Sequence, residues 1–202
     1  MKQIQYPLTE RIGNPELFVG RHEEFDHLNH WLDFIPKRLS RSKVILARRK
    51  SGKTSILQRI FNQLWSNPER GIIPFYVSVE ENNIWFPEFA IQYYQIFASH
   101  YISFFERDPT IINEPLSLKE IKEYGKKKSI KSFVTDVDSL NQYKEEEFHG
   151  SMWRIACHAP DRFASVYDQR ILVLIEEQIR ALKKEKISLQ GRLNNLVGKF
   201  AE

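Results

Sequence analysis

Ala47-Arg48-Arg49-Lys50-Ser51-Gly52-Lys53-Thr54 has the spacing of a Walker A phosphate-binding loop, with alanine where glycine usually opens it. Such a loop leaves a strand and turns successive backbone N–H groups toward phosphate oxygens. Gly52 lets that backbone approach with no Cβ in the way. The helix beginning there adds its positive N-terminal end. Lys53 would bring a point charge to the β- and γ-phosphates, and the Thr54 hydroxyl would coordinate Mg²⁺. Alanine at position 47 stays small, although left-handed backbone there would suit it less than glycine. A loop of this kind works with a carboxylate at a buried strand end, and Ile171-Leu172-Val173-Leu174-Ile175 is an apolar run closed by Glu176-Glu177. Glu176 is expected to face Mg²⁺, and Glu177 to act as the base that orients an attacking water. Glutamate reaches one methylene further than the usual aspartate, so metal geometry is displaced and hydrolysis is expected to be slow.

Positioning these groups takes alternating helices and strands. Phe25, Leu28, Trp31, Leu32 and Ile35 recur at helical spacing, and Pro36 marks the stop. Lys43 to Ala47 offers Val44-Ile45-Leu46 as a short buried strand leading into the loop. Ile56, Leu57, Ile60, Phe61 and Leu64 predict a helix out of the loop, Asn67-Pro68 punctuates it, and Ile72 to Val79 reads as another strand. That order predicts an α/β fold with a parallel sheet flanked by helices. The aromatic stretch from Trp85 to Phe105 has helical spacing and reads as a core-facing helix rather than a base-stacking platform. Residues 106–147 are polar and charged and read as an insert over the surface. Helices are expected from about Phe148 to His158 and through Phe163 to Tyr167, before the strand at Ile171. The remainder, Gln178 to Glu202, is rich in Lys and Arg and partly helical in pattern.

Several of these pieces together resemble a known family. Phe18-Val19-Gly20-Arg21 with Glu23 and Glu24 is similar to the F-V-G-R-x-x-E signature of AAA+ ATPases of the archaeal-type and signal-transducing (STAND) groups. The resemblance implies that Val19, Gly20 and Arg21 lie by the adenine. Ala47 through Ser55 is similar to the group's G-R-R-x-x-G-K-T-S loop, and Ile171 to Gln178 to its segment of apolar residues followed by D-E-x-Q. The ending from Asn195 to Glu202 is similar to a stretch that follows the acidic strand in relatives. The resemblance therefore implies a P-loop NTPase domain over residues 1–202, with ATP and Mg²⁺ bound by the loop residues through Ser55. It also implies a sensor strand inserted between the loop strand and the acidic strand, an arginine finger and a helical lid. None is visible after Glu177, so the expectation is a core incomplete at its C-terminal end, with the lid domain absent.

The rest of the composition bounds the alternatives. The chain has 202 residues, 42% of them hydrophobic, enough for one large domain. A single cysteine, Cys157, excludes an internal disulfide framework, and no stretch approaches the roughly 20 apolar residues of a membrane span. The expectation is a cytoplasmic protein with no membrane partner. A net charge of +4 is mildly attractive to polyanions, and much of it is local. Lys37, Arg38, Arg41, Lys43, Arg48, Arg49, Lys50 and Lys53 crowd near the loop, where a bound polyphosphate explains them. Lys126, Lys127, Lys128 and Lys131 form a second cluster, more economically a solvated face than a nucleic-acid site. His27 and His30 lie three apart on a helix, but a metal site needs a third ligand. The leading expectation is an ATP-driven conformational switch. The second is a nucleotide-binding module without hydrolysis, self-association or a protein partner being open in either case. A small-molecule kinase and a nucleic-acid-associated ATPase share the loop but have little else in the sequence to carry them.

Overall fold

The computed structural model describes residues 4–12, 19–46, 51–80 and 86–178, apart from the side chains of Glu80, Glu177 and Gln178. It is an α/β arrangement in which a parallel pair of strands is flanked by helices. Strands β1 (Ile73–Glu80) and β2 (Ile171–Gln178) run side by side in the register Tyr76 to Leu174 and Ser78 to Glu176. Between them the chain makes the long crossover that a parallel pair requires, and its described residues carry helices and no further strand.

Helix α1 (His22–Leu32) buries Leu28 and Leu32, and α2 (Lys53–Ser66) buries Ile56, Ile60, Phe61, Leu64 and Trp65. Helix α3 (Phe86–Glu106) carries the aromatic stretch, and Tyr94, Phe97 and Ile102 are sealed in the core. Phe75 of β1 meets Tyr93 and Phe97 edge-on, with ring centroids 5.2 and 5.4 Å away. The aromatic stretch is thus core, as its spacing predicts.

Residues 106–147, expected as an insert over the surface, contribute one face to the core. They fold into α4 (Thr110–Asn113), α5 (Leu118–Lys128) and α6 (Lys131–Glu145), and Ile112, Ile121, Phe133, Val137 and Leu140 enter the same core. On the outer faces Lys122 pairs with Asp138, and Lys128 with Glu106 at 2.8 Å, while Asp136 is buried and pairs with Arg162 at 2.7 Å. Helix α5 opens on a capping box in which Ser117 and Glu120 satisfy each other's backbone N–H groups. Helices α7 (His149–Cys157) and α8 (Ala159–Val166) complete the crossover, with Phe163 packed on Phe97 and Phe133.

One expected element does not form. Val44, Ile45 and Leu46 make no strand; Val44 is 67% exposed and Leu46 88%. A buried strand needs a neighbour for its backbone groups, and among the described residues β2 pairs with β1 alone. The N-terminal segment, by contrast, is tied down firmly. Leu8 N–H donates to Asn62 Oδ1 at 3.0 Å while Asn62 Nδ2 returns a bond to the Leu8 carbonyl at 2.9 Å. Arg11 N–H donates to Gln58 Oε1 at 2.9 Å, and Arg59 grips Glu10 through two bonds of 2.8 and 2.9 Å. Residues 5–11 therefore run along α2 as a strap. Among the described residues no helix is long and apolar enough to cross a membrane.

Candidate functional site

The acidic end of β2 meets the first turn of α2. Gly52 stands just before α2 with φ 81° and ψ 17°, a left-handed conformation that glycine adopts without steric cost. Its carbonyl accepts the first helical bond from Ile56 N–H at 3.1 Å. No acidic residue sits in the first turn of α2, so the helix's own sequence leaves its positive end uncompensated there. Lys53 and Thr54 are the first two helical residues, and Ser55 follows half-buried.

The Thr54 hydroxyl donates to Glu176 Oε1 across 122 positions of sequence. The Tyr76 hydroxyl donates to Glu176 Oε2. Glu176 is only 8% exposed, so its carboxylate is held at both oxygens by hydroxyl donors inside the fold. Burial, and then the carboxylate it faces, raise the Tyr76 hydroxyl well above the ordinary phenol value; Arg11 and Ser78 pull the other way. The phenol is therefore a proton donor at any physiological pH. The parallel register explains the meeting. Ser78 is level with Glu176, and Tyr76, two residues earlier, shares that face of the sheet.

Gly20 and Arg21 are consecutive left-handed residues, with φ of 79° and 64°. That turn launches α1 and sends the Arg21 guanidinium to the Ser51 carbonyl at 2.6 Å, while its other arm pairs with Glu24 at 2.7 Å. The segment from Val19 to Arg21 thus reaches the loop, with Val19 itself 82% exposed. Ser51 Oγ is buried and has no hydrogen-bond partner among the described residues.

Of the residues singled out by motif spacing or by the family resemblance, Thr54 and Glu176 come into direct contact, Arg21 joins Ser51, and Gly52 and Lys53 adjoin them. Ala47, Arg48, Arg49 and Lys50 lie outside the described residues, as does the side chain of Glu177. Sequence reasoning missed Tyr76. No local signal marks it, because only the register between β1 and β2 brings its hydroxyl to Glu176. The His27/His30 pair gathers no third ligand: His27 faces Lys43 at 2.6 Å, and no group of three metal-binding side chains exists among the described residues.

No family model, curated protein or solved structure matches the chain.

Proposed function

We propose that the chain is a P-loop nucleotide-binding protein that takes ATP with Mg²⁺ at the start of α2. One observation carries this reading: a helix-opening Thr54, behind a left-handed Gly52, is joined to a buried carboxylate at a parallel strand's end. A hydroxyl and a carboxylate are hard oxygen donors, the set that suits Mg²⁺. Thr54 can give a lone pair to the ion while its O–H continues to donate to Glu176 Oε1. The helix end and Lys53 would take the β- and γ-phosphates, and bound Mg²⁺ would neutralise charge on them. Arg21 would fix the loop by holding the Ser51 carbonyl, with Val19 and Gly20 beside the base. Ala47, Arg48, Arg49, Lys50 and Ser55 would supply the rest of the phosphate contacts, and Glu177 would orient water for hydrolysis.

Binding without turnover is the second reading. It is favoured by the Val44–Leu46 segment, which pairs with no strand among the described residues and so enters the loop unsupported by the sheet. Calorimetric titration of the chain with Mg-ATP tests the first reading. Lys53→Ala is expected to weaken binding by about tenfold to a hundredfold, the range for one charge-assisted contact. A folded chain that binds no Mg-ATP would overturn the proposal. Steady phosphate release that stops in Glu177→Gln would select the ATPase over the passive binder.

A further inference from the structure

A glutamate at the metal-facing position has one more rotatable bond than an aspartate, and so a wider choice of carboxylate positions. Something must restrict that choice if the group is to act at a fixed place. Thr54 restrains one oxygen, but a single bond leaves the carboxylate able to swing about it. The second restraint comes from the sheet. Tyr76 stands on β1, two residues from the position level with Glu176, and its hydroxyl takes Oε2. Its own ring is fixed in the core, with 8% of the residue exposed.

We propose that Tyr76 is a positioning residue for this site, holding the Glu176 carboxylate at Oε2 so that its remaining lone pairs face the metal coordinated by Thr54. The inference rests on the nucleotide-binding reading above. Each carboxylate oxygen has two acceptor sites, so accepting from Thr54 and Tyr76 still leaves one on each oxygen for the ion or its water. The hydroxyl protons do not compete with Mg²⁺; they orient its ligand. Second-sphere bonds of this kind tune metal affinity by about tenfold to a hundredfold. Tyr76 thereby adapts a glutamate, with its extra methylene, to a task for which aspartate is shorter.

The test separates the metal from the nucleotide. The 202-residue chain and its Tyr76→Phe variant are titrated with ATP in EDTA and again with ATP and excess Mg²⁺. The variant keeps the ring and removes only the hydroxyl. Its metal-free affinity should be unchanged, while the gain in affinity on adding Mg²⁺ should fall about tenfold. In a Glu176→Gln background the same change should have no further effect on that gain. Equal losses with and without Mg²⁺ would mean a structural role and overturn the inference, as would an unchanged gain. Absence of ATP binding by the folded parent chain would instead defeat the nucleotide reading itself, and this inference with it.

Discussion

Gly52 has a φ of 81°, and a Cβ built on it would meet no atom within 4 Å. The position therefore demands glycine for its backbone and not for space. Gly52→Ala should cost about 1 kcal/mol from the left-handed conformation alone, read as a lowered urea midpoint with unchanged slope. A loss of several kcal/mol would mean that a side chain at this position meets packing as well as backbone strain. The spacing of Gly52, Lys53 and Thr54 could be read before any fold was known, because each residue type has one demand to meet at that point. Glu176 could be read for the same reason, as an acid closing an apolar run. Tyr76 could not. Its role depends on the register between β1 and β2, which no local pattern encodes. Arg21 was readable only through a family resemblance, and its contact with Ser51 across the loop came from the fold.

At the scale of elements, α2 both opens at the site and receives the N-terminal strap. Glu10 is 3% exposed and depends on Arg59, which it holds above the ordinary guanidinium value, and on Asn62 Nδ2 at 3.1 Å. Arg59→Met should cost about 3 kcal/mol, because it leaves a buried carboxylate short of its counter-charge. Adding Glu10→Gln should recover part of that loss, measured by denaturant unfolding of the single and double variants. If Arg59→Met is neutral, the strap is not fastened to α2 by this pair. The strap of residues 5–11 leaves no pattern in the sequence, since its contacts are to side chains scattered at 58, 59, 62 and 66 on a helix whose other face is apolar. The helices of residues 106–147 were hidden differently. Ile121, Phe133, Val137 and Leu140 are spaced for a buried face but diluted by lysine and glutamate, although Ser117 with Glu120 is a readable start. The opposite error arose at Val44-Ile45-Leu46, where strand-like composition has no neighbouring strand among the described residues. Composition states a preference; pairing decides it.

At the scale of the whole molecule, the junction of α2, α3 and β1 is closed by one titratable group. His100 of α3 lies between Phe61 of α2 and Phe75 of β1, with ring centroids 5.0 and 5.9 Å away. Its Nδ1 accepts the Tyr76 backbone N–H at 3.3 Å, so that nitrogen carries no proton in the native state. Burial lowers its pKa from 6.5 to about 3. Between those values the unfolded chain binds a proton at this histidine that the native chain refuses, so stability falls as pH falls through that window. From pH 7 to pH 5 the loss from this one group should be about 2 kcal/mol, in a range where most carboxylates remain ionised. His100→Asn offers an oxygen where Nδ1 stood and does not titrate. The variant will be less stable at pH 7 for its lost packing, but its stability should change less between pH 7 and 5 than that of the parent chain. Parallel stability curves for the two proteins would show that His100 is protonated within the native core, and that the sheet edge at Tyr76 tolerates the charge. A converging pair would place the acid sensitivity of the fold at the same strand residue whose hydroxyl holds Glu176, so that acidification should loosen the sheet and the candidate site together.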